Sequence, residues 1–469
     1  MTNKTIAMHK RVRQVFKAGM WLAAIVLALA VTLYGALLLI NRSDRPPSAT
    51  VLQFQQFKRS LPVVADADNG YVLLMGLPAP KGDDPRTLGK QRIVAIQRYL
   101  AANDAAVMPH LPDPTENLQA SRSAAVRHLA GACRKPEKAC IDALEAKPAA
   151  AKEWLANEGW RLDRYSSLLA STAWREILPA DDRIAFPSYT QLLDGQMLHL
   201  IKAYALASEG DAATVRSLLE ADIRFWRLQL EHADTLISKM IAASGLQRHF
   251  AFSNRILGKL GPGKALAAIP AQWRAPLLQA ERSMLRAFMG EWGYTVSVIR
   301  NLKRNAARNE KSELSMAWLG EQSMVRLLQP QDSSNRYAEK LASASAEMLV
   351  SYPQVAALAA KARAPKQQQF KFPYSAYNAF GSILIAAGKW DYARYGYRVA
   401  DLEGIRRASL LSVQLRSSGA PESQLAQRLN TANLRNPYDD KPFTWDVKSH
   451  AIVFVGLDAR NGGRTAIAY

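Results

Sequence analysis

The sequence predicts a mainly α-helical protein with one N-terminal transmembrane helix, an irregular stack of helical hairpins and a small C-terminal β-hairpin. Three observations predict this fold class. Residues 18–40 carry no charge, residues 191–260 carry apolar side chains at helical spacing, and residues 443–455 carry them at strand spacing. The chain has 469 residues, of which 49% are hydrophobic, so it is long enough to bury a sizeable core.

The apolar segment 18–40 is long enough to cross a membrane and to contact its lipid. As a helix it would cover about 34 Å, against about 30 Å for a hydrocarbon core. Lys and Arg are more frequent before the segment than after it, which predicts a cytoplasmic N-terminus and a periplasmic body at a bacterial inner membrane. The basic residues before it are Lys4, Lys10, Arg11, Arg13 and Lys17. A cleaved signal peptide is the alternative, but its apolar region would be shorter, about 7–15 residues, and no A-x-A-like site follows.

One face of this segment has a small side chain at every fourth position: Ala24, Ala28, Thr32 and Ala36. Small side chains let two membrane helices approach closely, so this face predicts a homodimer. Alanine is also common in membrane helices that have no such contact, and this alternative stays open.

The composition divides the chain into five segments. They are a cytoplasmic basic tail (1–17), the transmembrane helix (18–40), a linker (41–50), an α-helical periplasmic body (51–364) and a C-terminal helical region with a β-hairpin (365–469). Within the body, residues 51–61 predict a short helix that Pro62 ends. The apolar run 71–77, bounded by Asn69-Gly70 and Pro78, predicts a buried strand or extended segment.

Two apolar stripes, from Leu192 to Tyr204 and from Val215 to Leu230, are joined by a short polar segment. Asp211 in that segment is a typical N-cap, so we predict two antiparallel helices with a tight turn between them. The spacing resembles a tetratricopeptide hairpin, but the period of about 34 residues is absent. The sequence therefore indicates irregular hairpins, and the final helix is predicted to stop at Gly419.

The chain has two cysteines, Cys133 and Cys140, close together in the sequence. An even pair outside the cytosol predicts a disulfide. Two unpaired buried thiols are the alternative. A metal site would need further ligands beside them, and His128 alone is too little.

The net charge of +21 favours contact with anionic partners. The expected partners are an envelope protein, anionic lipid or anionic glycan, whereas the inferred compartment argues against nucleic acid. The most regular basic surface is a helical stripe of five side chains, which could bind an anion: Arg300, Lys303, Arg304, Arg308 and Lys311. A solvated charged face is the alternative, because Glu310 and Glu313 lie nearby.

The C-terminal tail alternates Phe443, Trp445 and Val447 with polar residues and continues into the apolar run 452–455, which predicts the β-hairpin. Its other marked residues are Arg406, Arg407, Asn436, Pro437, Lys441 and Pro442. With these residues the tail resembles that of a loose set of uncharacterised, membrane-anchored bacterial proteins with a DP-x-x-GKPF motif. Asn436 stands where that pattern often has Asp, and Asp440 where it has Gly. The resemblance covers about the last quarter of the chain and implies shared architecture, not an activity.

No catalytic, cofactor-binding or metal-binding motif is present in the sequence. H-E-x-x-H, G-x-S-x-G, S-x-x-K and phosphate-binding glycine loops are absent. His199, His232 and His249 fall in one helical block and could converge, but a single helical histidine is more often packed or exposed than a ligand. We therefore predict no catalytic residue, no cofactor and no metal.

These observations predict a single-pass, inner-membrane-anchored periplasmic protein that binds or scaffolds a component of the cell envelope. The alternative is a membrane-anchored envelope hydrolase that acts on lipid or glycan, with catalytic residues that converge from distant positions.

Overall fold

The computed structural model describes residues 2–102, 121–134, 136–308, 316–363, 375–387 and 392–469. The predicted fold class is confirmed, because these residues form mainly helices and end in a small antiparallel sheet. The segment Arg13–Ile40 of the first helix is long and apolar enough to cross a membrane.

The described residues form twenty α-helices. In chain order they are α1 (Thr2–Ile40), α2 (Ala49–Ser60), α3 (Gly70–Gly76), α4 (Pro85–Ala101), α5 (Ala124–Ala132), α6 (Glu137–Ala146), α7 (Pro148–Asn157), α8 (Gly159–Leu169), α9 (Tyr189–Ser208), α10 (Ala212–His232), α11 (Leu236–Lys259), α12 (Pro262–Ala268), α13 (Gln279–Arg282), α14 (Leu285–Arg308), α15 (Met316–Arg326), α16 (Pro330–Ala346), α17 (Tyr352–Arg363), α18 (Ala379–Ala387), α19 (Ala393–Ser417) and α20 (Glu422–Thr431).

The chain divides into two compact units, each built from segments that are remote in the sequence. Unit 1 comprises residues 1–53, 299–337 and 368–390. Unit 2 comprises residues 54–298, 338–367 and 391–469. Each unit therefore depends on contacts that no single stretch of sequence contains.

A buried polar cluster stabilises unit 1 where α1 ends. The Asn41 side chain donates to the Ala376 carbonyl at 2.7 Å and accepts from the Asn378 backbone N–H at 2.6 Å. Asn378 is fully buried with φ of 52°, and its amide donates to Asp332 Oδ2 at 2.8 Å. Asparagine tolerates this left-handed backbone and offers both donors and an acceptor, so it can join three chain segments at once.

The core of unit 2 contains the predicted helical hairpin, now seen as α9 and α10. The two predicted stripes are buried, as Leu200 in α9 and Leu219 in α10 illustrate. Asp211 caps α10 by accepting from the Thr214 backbone N–H at 3.0 Å, and Gly210 before it has φ of 80°. The predicted turn and N-cap are thus confirmed.

Residues 71–76 of the apolar run are helical, so the predicted strand is wrong. Asn69 caps α3 by accepting from the Tyr71 backbone N–H at 3.1 Å, and every residue of α3 is buried. A short run that is apolar on all sides has no periodicity to distinguish a buried strand from a buried helix. The cap and the packing against α4 decide in favour of the helix.

The C-terminal sheet contains the predicted hairpin and one further strand. Its strands are β1 (Thr444–Asp446), β2 (Ala451–Val455) and β3 (Arg464–Ala468), in the order β1-β2-β3 and antiparallel throughout. The strand β3 was not predicted, because Arg464-Thr465-Ala466 has little strand periodicity. The helix predicted to be the last one ends at Ser417 near the predicted stop, but α20 follows it.

The crossing of α3 and α4 is close enough to require glycine. A Cβ atom added at Gly89 would lie 2.0 Å from the Val72 carbonyl oxygen, whereas one added at Gly131 in α5 would meet no atom within 4 Å. Alanine favours a helix over glycine by about 1 kcal/mol at both positions.

We expect Gly89→Ala to lower the free energy of unfolding by about 1–3 kcal/mol, because the backbone of α3 must move away. The matched control Gly131→Ala should raise it by up to about 1 kcal/mol. Urea unfolding of the full chain in detergent, followed by tryptophan fluorescence, checks both values. Equal effects of the two substitutions would contradict the close crossing.

Candidate functional site

A cavity of about 560 Å³ lies in unit 2 between α11, α19 and the last strand. Gln247 and Ala251 line it from α11, Asp401 and Ile405 from α19, and residues 463–467 from β3 and the turn before it. The wall mixes polar and apolar groups, and ligand pockets generally combine both. This cavity is the candidate binding site.

Asp401 is the most buried acid of the cavity wall, and its carboxylate is held by the protein itself. Tyr438 Oη donates to Oδ1 at 2.6 Å, the Leu457 backbone N–H donates to the same oxygen at 2.8 Å, and the Asp458 N–H donates to Oδ2 at 2.9 Å. Burial raises the pKa of the Asp401 carboxyl despite these bonds. Its oxygens fix the turn after β2 and leave little capacity for chemistry.

The other charged groups of the cavity differ in exposure. Asp458 is 8% exposed and forms an ion pair with Arg398 at 3.3 Å. At the cavity wall Arg464 is exposed and Glu137 is half-buried. The cavity can therefore offer a ligand the Arg464 cation and the carboxylates of Asp458 and Glu137, of which Asp458 is the more buried.

The marked residues of the C-terminal tail make internal contacts. Glu403 is fully buried and accepts from Arg406 at 2.6 Å and Arg407 at 2.7 Å. The Asn436 amide donates to the Val455 carbonyl at 3.1 Å, and Asp440 has φ of 55°. A left-handed backbone there fits the glycine that the related pattern often carries. The resemblance itself stays a prediction.

The arrangement most like a catalytic array is a buried network around Asp222. His249 Nδ1 lies 2.8 Å from Asp222 Oδ2, and Trp273 Nε1 lies 2.9 Å from His249 Nε2. Because an indole N–H can only donate, Nε2 is the acceptor toward Trp273, and Nδ1 is the nitrogen that faces the carboxylate. Tyr165 Oη donates to Asp222 Oδ1 at 2.5 Å.

This network is sealed from solvent. Asp222 and His249 are both 0% exposed. Burial by itself would raise the pKa of the Asp222 carboxyl, but hydrogen bonds from His249 and Tyr165 hold it below its usual value. With both imidazole nitrogens engaged and no access for a substrate, the network stabilises the crossing of α8, α10 and α11.

The three histidines of the helical block do not converge on one point. His199 lies near Asp222, like His249, but its Nε2 contacts the Leu218 carbonyl at 3.0 Å. His232 instead lies beside Arg286, 3.2 Å from its guanidinium. No group of three or more His, Cys, Asp or Glu residues that could hold a metal ion occurs among the described residues.

The structure places the other predicted site residues as follows. The sulfur atoms of Cys133 and Cys140 lie at disulfide distance, with the Cα atoms 4.2 Å apart. Arg300 and Lys303 are exposed on α14, and Arg304 is half-buried with a bond to Asn301. Lys311 and the side chain of Arg308 lie outside the described residues. The face of Ala24, Ala28, Thr32 and Ala36 is exposed along α1.

Comparison of the chain with protein-family models, with curated proteins and with solved structures finds no match.

Glu176 in unit 2 is a further buried acid with a displaced pKa. Burial, reinforced by the neighbouring Asp234 carboxylate, raises the pKa of Glu176 from 4.5 to about 7. Thr235 Oγ1 donates to it at 2.9 Å and the Asp234 backbone N–H at 3.1 Å. The folded protein therefore retains this proton at pH values at which the unfolded chain has lost it, so the associated stability is present below about pH 4.5 and is lost as the pH rises through about 7.

We expect Glu176→Gln to match the parent protein near pH 5 and to exceed its free energy of unfolding by roughly 2–3 kcal/mol at pH 8, because the neutral amide needs no proton. Exposed Glu347 offers the control Glu347→Gln, which should track the parent at both values. Urea unfolding between pH 5 and pH 8 measures the difference. A difference that does not change with pH would refute this assignment.

Proposed function

We propose that this chain is a single-pass protein of the bacterial inner membrane, with a cytoplasmic N-terminus and a periplasmic body that binds or scaffolds an envelope component. The observation that carries the proposal is the exposure of α1. Leu22, Leu27 and Leu33 are 65%, 67% and 66% exposed. An apolar surface of this extent is typical of contact with membrane lipid.

The orientation rests on the charged flanks of α1 and on the cysteine pair. The excess of Lys and Arg before residue 18 favours retention of that end in the cytoplasm. A cysteine pair at bonding distance suits an oxidising compartment such as the periplasm. A cleaved signal sequence is also an apolar N-terminal helix, but it would not explain the contacts of residues 34–41 with the rest of unit 1.

Binding is favoured over catalysis because the buried carboxylates of unit 2 are already engaged in hydrogen bonds within the protein. Asp401 and Asp222 each accept hydrogen bonds from the protein at both carboxylate oxygens. The cavity beside Asp401 has room for a small polar group or for a side chain of a partner. An envelope hydrolase is the second candidate, since Asp458 and Glu137 also line this cavity.

The proposed topology predicts the labelling of the cysteines. In intact cells, a maleimide that cannot cross the inner membrane should label Cys133 and Cys140 only after reduction combined with mild denaturation, because both cysteines are buried. As a control, Thr2→Cys in a background of Cys133→Ser and Cys140→Ser should be labelled only after lysis. Free native thiols that react only after lysis would reverse the topology.

The proposed binding predicts a defined contact at the cavity. A photo-crosslinking residue in place of Arg464 should yield a discrete, light-dependent adduct in cells, whereas one in place of exposed Lys448 should not. The purified full-length protein should not turn over envelope lipid or glycan. Saturable turnover that is lost in Asp458→Asn would contradict the binding proposal and favour the hydrolase.

A further inference from the structure

One face of α1 becomes covered by the protein from Tyr34 onward. Every side chain from Arg13 to Leu33 is exposed, whereas Tyr34, Leu37 and Leu38 are half-buried and Asn41 is buried within unit 1. On the other face, Leu39 and Ile40 are still exposed. The charge-free segment 18–40 has a helical length of about 34 Å, close to the thickness of a hydrocarbon core. The protein therefore covers one face of α1 over the last two turns of this segment, next to the point where a membrane of that thickness would end.

A first set of hydrogen bonds shows which residues of α14 and α15 lie at the height of Tyr34 along α1. Tyr34 Oη donates to the Ser323 carbonyl in α15 at 3.2 Å. The neighbouring Gln322 side chain donates to the Ala306 carbonyl in α14 at 2.8 Å. The end of α14 and the middle of α15 thus lie beside the outer end of the exposed stretch.

A second set marks the level of Asn41, about 10 Å further along α1. The Gln329 side chain donates to the Asn41 carbonyl. Lys303 Nζ donates to the adjacent Leu328 carbonyl at 3.4 Å. Between the two levels α15 therefore runs away from the exposed stretch and α14 runs toward it.

Three side chains occupy the interval between these levels, and we call them the collar: Lys303, Met324 and Arg326. Met324 is 45% exposed at the level of Tyr34, and both cations are exposed. Neither Lys303 nor Arg326 forms an ion pair with a described carboxylate. An apolar side chain below two cations matches the order of acyl chain and phosphate in a lipid monolayer.

Among the described side chains, the acids close to the collar are already paired. Asp332 is 1% exposed and bonds Arg45 at 3.1 Å and Arg336 at 2.9 Å. Asp44 accepts from the backbone N–H groups of Gln331 and Asp332. The collar cations therefore remain available to an external anion.

We propose that the collar is a binding site for anionic phospholipid of the membrane that α1 crosses, in which Lys303 and Arg326 hold the headgroup phosphate and Met324 contacts the acyl chains. The proposal rests on the membrane anchor proposed above. In this proposal, α14 and α15 contact the outer surface of the membrane. Arg300, one helical turn further from the membrane than Lys303, contributes less.

Native mass spectrometry of the full-length protein in detergent, titrated with phosphatidylglycerol or phosphatidylcholine, tests the site. Each cation near an anionic lipid surface contributes about five-fold in affinity. We expect selective binding of phosphatidylglycerol and a loss of about twenty-five-fold in the double variant Lys303→Gln/Arg326→Gln. The charge-retaining pair Lys303→Arg/Arg326→Lys and the control Lys147→Gln/Lys152→Gln, which removes two exposed cations of unit 2, should bind like the parent.

Equal binding of both lipids by the parent, or equal binding of phosphatidylglycerol by parent and double variant, would overturn the proposal. Resistance of the protein to extraction from membranes by alkali tests the anchor separately. If the protein resists extraction but shows no lipid selectivity, the proposed lipid site at the collar is refuted and the proposed membrane anchor is retained.

A spin label at Met324→Cys in the full chain, reconstituted in phosphatidylglycerol vesicles, tests the depth of the collar. We expect it to be relaxed more by oxygen, which partitions into lipid, than by a water-soluble nickel chelate. A label at Val63→Cys, a fully exposed position of unit 2, supplies the solvent-accessible reference. The reverse order at position 324 would overturn the proposal.

Discussion

Asn41 is the residue on which unit 1 depends, because a polar side chain at the end of a long apolar helix must find hydrogen-bond partners inside the protein. It bonds the Ala376 carbonyl and the Asn378 backbone N–H, and its own carbonyl accepts from Gln329. A buried amide without partners costs about 1–3 kcal/mol. These bonds therefore fix segments from three distant parts of the chain at the point where α1 stops being exposed.

Unit 2 follows the same principle on a larger scale. Its helices bury charged and polar groups in closed networks, such as the one around Asp222 and the Glu403 carboxylate between Arg406 and Arg407. Removing one partner from such a network would leave another buried and unsatisfied. A displaced pKa at these positions therefore reflects packing, whereas the open cavity beside Asp401 has polar groups that face a space.

Part of the site could be predicted from the sequence, and part could not. The basic stripe on α14 was visible from helical spacing. The sequence did not show that Lys303 would lie apart from the rest of the stripe in the collar, because Lys303 contacts Leu328 only in the folded chain. Arg326 was not predicted, since nothing near it in the sequence indicates its position beside α14. Asp401 and Asp458 are separated by 57 residues, so no local pattern indicated their common cavity.

The sequence by itself determined what depends on neighbouring residues: the apolar length of α1, the stripes and N-cap of the α9–α10 hairpin, and the close cysteine pair. These features follow from the length, periodicity and side-chain chemistry of residues that lie within a single helix or a single helical turn. The tertiary structure decided that residues 70–76 are a helix, that β3 joins the sheet, and that Asn41 bonds Asn378, 337 positions away. Such contacts depend on which buried polar groups can satisfy one another in space, and that is a property of the whole fold.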